Sequence, residues 1–388
     1  MKENHPSYRF IMLIVMVAIA GFAQGMLLPL LSIMLEEAGV SSALNGLNAT
    51  ALYIGILLAS PFIEKPVRTF GYKPVITIGL LVMTVSLLVL PLWTFFWFWF
   101  VLRMIIGIAD NMVHFATQVW ITSTSTAKNR GRNISIYGLA FGLGFGAGPL
   151  MIRLLEIAEW LPFVISAALT FITWLFVSRL ANEFPAADFD TRGPASTLAR
   201  YRSVLKLAWF SLIPGFAYGY LEASLHGNYP VYALRSGLSI EQVSLLLPAF
   251  VVGGLITQIP LGLASDKFGR RLIVLSIALL GSVSFFLMIV AESSHATLIA
   301  LFLIGGGLVG SLYSLGVAYM ADLVPSNLLP TANVMMAVSF GLGSITGPLI
   351  GGWFIDLFEH GSIYYSIGGM LLLVALSGLF SRQPTTST

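Results

Sequence analysis

Twice in this chain a carboxylate stands four residues before a histidine inside strongly apolar sequence, as Asp110 with His114 and as Glu222 with His226. On a helix such a pair shares one face a single turn apart, and a carboxyl beside an imidazole can take up and release a proton near neutral pH. At 100° per residue, Asp110, His114 and Thr117 fall within about 40° of Arg103, with Asn111 and Gln118 bordering the same stripe. Tyr218, His226 and Tyr229 cluster around Glu222 by the same arithmetic. An ionised group at mid-membrane costs at least ~2.5–3.5 kcal/mol, so each stripe must face water, a substrate or a partner. Proton binding is one reading of these groups, and polar glue between helices is the other. Glu222 is placed slightly ahead of Asp110 as the coupling carboxylate, because Arg103 is positioned to keep Asp110 ionised.

Other chemistry is excluded by what is missing. The chain has no cysteine, hence no thiol nucleophile, disulfide or thiolate metal site. Its five histidines show no metal-ligand spacing, and no phosphate-binding loop is present. No catalytic residue, metal or cofactor is expected, and the net charge of +3 does not point to nucleic acid.

These polar groups are carried by an unusual background. With 57% hydrophobic and 10% charged residues, the chain lies far from a soluble domain, where about a quarter of residues are charged. Its apolar runs have the roughly 20-residue length of a membrane-crossing helix and lack strand alternation, so an all-α membrane protein is predicted. Twelve spans are expected, at roughly 10–35, 44–63, 74–92, 95–123, 133–155, 160–181, 206–234, 240–264, 272–291, 296–321, 329–355 and 361–380. The first runs on to Leu35 with no polar domain behind it and reads as an anchor, not a cleaved leader. The run Phe95 to Phe100 reads as an aromatic anchor at the lipid headgroups. With both termini inside, all but Arg103, Arg153 and Arg235 of the 20 basic residues fall on the cytoplasmic side.

The chain also repeats itself. Phe141-Gly142-Leu143-Gly144 followed by Gly148-Pro149 recurs as Phe340-Gly341-Leu342-Gly343 followed by Gly347-Pro348. Gly21-Phe22-Ala23 and Gly25 recur as Gly215-Phe216-Ala217 and Gly219, and Phe70-Gly71 recurs as Phe268-Gly269. Matches in the same order imply two pseudo-symmetric six-helix bundles, at 1–181 and 206–388, joined by a polar cytoplasmic linker at 182–205 in which a short helix from Leu198 to Lys206 is equally allowed.

The loop Gly262-Leu263-Ala264-Ser265-Asp266-Lys267-Phe268-Gly269-Arg270-Arg271 resembles the signature loop of the major facilitator superfamily. Arg103 with Gly107 resembles that family's signature in the fourth span, and Gly144, Gly148, Pro149 with Gly343, Gly347, Pro348 resembles its antiporter motif. The resemblance covers essentially the whole chain. It implies alternating access, with Gly262, Asp266, Lys267, Gly269, Arg270 and Arg271 as a conformational latch and the glycine–proline segments as sites of helix packing and bending. It also implies that spans one, four, seven and ten line a cavity, adding Gln24, Tyr313 and Tyr319 to Arg103, Tyr218 and Gln118 as candidate substrate contacts. The first-half loop departs from the pattern, with Arg68 where an acid is expected, and Ile152-Arg153 replace the closing glycines of the first antiporter segment.

A proton-coupled exporter of a small amphipathic solute or drug is expected, acting as a monomer in the inner membrane with protons, lipid and a small molecule as its partners. An importer or facilitator of a neutral metabolite such as a sugar is the alternative. A polytopic membrane enzyme or a receptor is the remote one.

Overall fold

A computed structural model describes residues 6–185, 194–325, 328–358 and 360–378. The middle of the expected linker, with Asp188, Asp190, Arg192 and Gly193, lies outside them, as do Lys2 and Arg382. Backbone polar groups in apolar surroundings must be satisfied within the segment, and the described chain is accordingly helical. In order it forms α1 (Pro6–Glu37), α2 (Ser42–Ala59), α3 (Glu64–Phe70), α4 (Tyr72–Val89), α5 (Phe96–Thr124), α6 (Ala127–Ala147), α7 (Leu161–Ser178), α8 (Pro194–Gly227), α9 (Tyr229–Arg235), α10 (Ile240–Phe268), α11 (Arg270–Ala291), α12 (His295–Val309), α13 (Leu312–Leu323), α14 (Leu329–Leu357) and α15 (Ser362–Ser377). Among the described residues eleven segments are long and apolar enough to cross a membrane, and α15 is a shorter apolar helix at the place of the twelfth.

Several expected boundaries move. The helix that contains the seventh span, α8, begins inside the expected linker at Pro194 and is jointed at Ala208 (φ −139°, ψ 24°). A short helix therefore does precede the span. The same span breaks again at Asn228, whose Nδ2 donates to the Pro348 carbonyl at 3.1 Å. The tenth span divides into α12 and α13 around Gly310-Ser311. The fifth passes from α6 into a 3-10 segment, Gly148–Glu156, where Pro149 supplies no N–H, while α14 stays α-helical through Pro348.

The chain forms two compact units. The first comprises Met1–Asp190 with Ala233–Pro248, and the second Thr191–Tyr232 with Ala249–Thr388. In the first, α1 lies along α6, α2 along α5, and α4 packs on α5 and α7. Segment 233–248 joins this unit through Arg235, whose Nε and Nη2 donate to Glu36 at 2.6 and 3.1 Å, and through Ser244, which accepts from Arg153 Nε at 2.8 Å. In the second, α8 lies along α14 and α13, and α11 packs on α12 and α15.

The repeat reappears as matched helix crossings within each unit. A Cβ on Gly144 of α6 would sit 1.9 Å from the Ala18 carbonyl of α1, and one on Gly343 of α14 would sit 2.0 Å from the Phe216 carbonyl of α8. Gly107 against Leu52 (2.0 Å) is echoed by Gly306 against Phe250 (1.8 Å). Only glycine permits backbones to approach this closely. Gly107, the second residue of the span-four signature, is thus a packing residue.

Candidate functional site

In the first unit the polar stripe of α5 divides between two neighbours. Arg103 is 1% exposed; its Nη1 donates to Asn48 Oδ1 of α2 at 3.0 Å, and Asn48 Nδ2 in turn donates to the Phe96 carbonyl at 3.2 Å. Asn111 also serves α2, donating to the Ile56 carbonyl at 3.0 Å and to Ser60 Oγ at 2.9 Å. Thr117 bonds within its own helix, to the Val113 carbonyl at 2.6 Å. Gln24 is buried on α1.

The remaining members turn toward α6. Asp110 Oδ1 lies 3.3 Å from His114 Nε2, within ion-pair range but not aligned as a hydrogen bond. The other imidazole nitrogen, Nδ1, is 2.5 Å from the Tyr137 hydroxyl, and Phe141 meets the ring edge-on at 5.2 Å. Tyr137 also lies beside the exposed Gln118 side chain. Helical spacing brought Asp110, His114 and Gln118 together, whereas Tyr137 and Asn48 escaped notice because they come from other helices. No periodicity within α5 could have named them.

In the second unit Glu222 is half-buried, and its partner is the Tyr218 phenol one turn earlier on α8. Tyr313 of α13 and Phe340 of α14 complete an aromatic wall. Tyr218 stands 6.4 Å from Tyr313 and 6.2 Å from Phe340 between centroids, with 5.5 Å between the latter two. On the seventh span Glu222 thus has a phenol one turn earlier as a partner. His226 is buried, Tyr229 packs on Phe302 at 4.8 Å, and Tyr319 meets Phe210 edge-on at 6.2 Å, apart from the wall. Phe340 was recognised only as part of the repeat.

The loop after α10 forms an ionic hub. Arg270 contacts Asp266 at 2.7 Å, Asp322 of α13 at 2.5 Å and Ser265 at 3.0 Å, while Arg271 donates to the Gly378 carbonyl. Gly269 holds φ +95°, a turn conformation that favours glycine, and Lys267 lies over the Phe268 ring at 5.2 Å. Open space surrounds Gly262.

In the first half, the loop's arginine finds an acid within the loop itself, and the linker root binds the same turn. Arg68 pairs with Glu64 in its own short helix at 2.8 Å. Glu183, at the root of the linker, accepts from Arg9 of α1 and from Trp120 Nε1 of α5 at 2.9 Å, and its carbonyl accepts from Tyr72 N–H at 2.9 Å. Asn182 brackets the turn, donating to the Phe70 carbonyl at 2.8 Å and accepting from Lys73 N–H at 3.2 Å. The beginning of the linker is thus clamped to α1, α4 and α5.

The model of the Major Facilitator Superfamily matches residues 13–239 and again 207–388. Among curated proteins, the MFS-type transporter YfkF of Bacillus subtilis (strain 168) is 46% identical over 385 residues, covering 98% of this chain and 97% of its own. The MFS-type transporter YcaD of Salmonella arizonae is 24% identical over 352 residues, covering 89% of each. Among solved structures, the nucleoside transporter NupG has a TM-score of 0.77 at 14% identity, covering 96% of this chain and 98% of its own. A bacterial homologue of the human lysosomal transporter Spinster, inward-facing and unoccupied, has a TM-score of 0.73 at 15% identity over 97% of both chains. At these identities the two structures share the fold alone.

Proposed function

The chain belongs to the Major Facilitator Superfamily, a family of secondary transporters and not of enzymes, and from that membership we propose that it exports a small amphipathic or weakly cationic solute in exchange for protons. The observation that carries this reading is the pair of acids on membrane-crossing helices. Asp110 is matched to an imidazole, and Glu222 to a phenol within an aromatic wall. A carboxylate out of water must be neutralised, and a proton or a cationic solute can do so in turn. Tyr218, Tyr313 and Phe340 offer flat apolar faces to such a solute, and ring faces attract cations. Protonation of either acid would shift the balance between the states of an alternating-access cycle.

The expected site is the bacterial inner membrane, with both termini cytoplasmic. The second reading, entry of a small neutral solute, draws on the same rings, which can stack on a sugar or a base. NupG, which shares this fold, is titled a nucleoside transporter.

Proteoliposomes with an imposed pH gradient separate the two. Solute movement against its own gradient and opposite to proton flow supports antiport; movement with the protons supports import. Glu222→Gln and Asp110→Asn are each expected to reduce proton-driven transport by roughly tenfold or more without loss of expression. Wild-type rate and pH dependence in both variants would remove these acids from the coupling mechanism.

A further inference from the structure

Across the helix contact His114 meets Tyr137 of α6. Its hydroxyl lies 2.5 Å from Nδ1, its ring meets the imidazole edge-on at 6.0 Å, and Phe141 holds the same imidazole from the next turn of α6. The ring is thereby fixed with Nε2 facing Asp110. One hydrogen must occupy the short contact between phenol and Nδ1, and two donors can supply it. If the hydroxyl donates, Nε2 carries the imidazole hydrogen on the side of the carboxylate, an electrostatic attraction at 3.3 Å without the alignment of a hydrogen bond. If a neutral imidazole donated from Nδ1, the bare lone pair of Nε2 would face the carboxylate, which is repulsive until a further proton arrives. The hydroxyl is therefore the donor while the pair holds no extra proton, and it must become the acceptor once imidazolium forms.

A hydroxyl that changes from donor to acceptor needs somewhere else to place its own hydrogen, and the adjacent Gln118 amide, which donates to the phenol oxygen in this arrangement, can supply its own oxygen by turning over. We propose that Tyr137 is the positioning residue of the Asp110–His114 site and acts as its proton switch, turning its hydroxyl from His114 to Gln118 when the site is protonated. The step balances simply. A hydronium ion gives one proton to Nδ1 and leaves as water, the Tyr137 O–H rotates without breaking, and the phenol stays neutral.

Few other groups compete for this role. On α5, Arg103 is committed to Asn48. The neighbour α2 carries no charge and a single titratable group, Tyr53. Ionisable residues of α4 are confined to Tyr72 and Lys73 in its first turn, and those of α1 to Tyr8, Arg9, Glu36 and Glu37 near its ends. Besides Tyr137, α6 holds Lys128, Arg130 and Arg132, all in its first two turns.

The inference rests on reading Asp110–His114 as a proton site, and its test needs no transport assay. Full-length protein with 15N-labelled histidine, in lipid nanodiscs, is titrated by NMR, with His114→Gln assigning the His114 signal by difference. The expected wild-type result is a single neutral tautomer protonated on Nε2. Tyr137→Phe should convert it to a tautomer mixture and displace the titration midpoint, with the signals of the other four histidines in place. Gln118→Leu, at an exposed position, should keep the neutral tautomer and displace the midpoint alone. An Nδ1-protonated wild-type tautomer, or a His114 titration indifferent to both variants, overturns the proposal. If the midpoint moves as expected while the pH profile of transport does not, Tyr137 keeps its role and proton coupling at this site is what fails.

Discussion

A guanidinium enclosed at 1% exposure must find its partner locally, and for Arg103 the partner identified is Asn48. A hydrogen bond to a charged group contributes about 1.5–3 kcal/mol, and without it Arg103 would be left uncompensated between α5 and α2. Asn48→Ala is accordingly expected to lower stability by about that amount, read as a fall in the melting temperature of purified protein. An unchanged melting temperature would mean that the guanidinium is satisfied by something other than Asn48. The arginine itself was legible in the sequence as an expensive residue that needed an explanation. Its neighbour was not, because the cost of burying a charge says that a partner exists without saying which helix provides it. Tyr137 and Phe340 were hidden for the same reason: each meets the candidate site across a helix–helix contact, and spacing along one helix carries no information about the next.

At the scale of elements, the glycines were the most readable feature, since a repeated Gly-x-x-x-Gly pattern in apolar helices points to backbones in contact. Both copies deliver the same crossing, α1 with α6 and α8 with α14. Adding a methyl group where the facing carbonyl leaves 1.9 or 2.0 Å forces the helices apart, and overpacking of this kind costs about 1–3 kcal/mol. Gly144→Ala and Gly343→Ala should therefore each destabilise the protein in thermal unfolding. Gly138, also on α6, has nothing within 4 Å of its Cβ position, and Gly138→Ala should be neutral or slightly stabilising through helix propensity alone. Equal effects of alanine at Gly138 and Gly144 would contradict the crossing. The linker root shows the opposite case. The departure of the first-half loop from the pattern was visible, but the hold of Asn182 and Glu183 on that loop comes from more than a hundred residues away and depends on the chain folding back onto Phe70, Tyr72, Arg9 and Trp120.

For the whole molecule, hydropathy predicted the span count well because twenty apolar residues have few alternatives, whereas the joints at Ala208, Asn228 and Gly310 arise from packing that hydropathy does not register. Sidedness rests on a different force, the retention of lysine and arginine on the cytoplasmic face. Two of the three basic residues assigned elsewhere, Arg153 and Arg235, are bound to Ser244 and Glu36, so their charges are engaged on the side where the rule does not want them. The native absence of cysteine makes the assignment directly testable, since any introduced thiol is the only one. Thr69→Cys and Lys267→Cys, both at exposed positions in basic loops, should react with an impermeant maleimide only after the membrane is opened. Glu159→Cys and Ser293→Cys, exposed in the loops an odd number of crossings away, should react in intact cells. Labelling of all four from one side would break the alternation of spans, and an exact inversion of the pattern would keep the spans while reversing the direction in which every proton and solute step has been assigned.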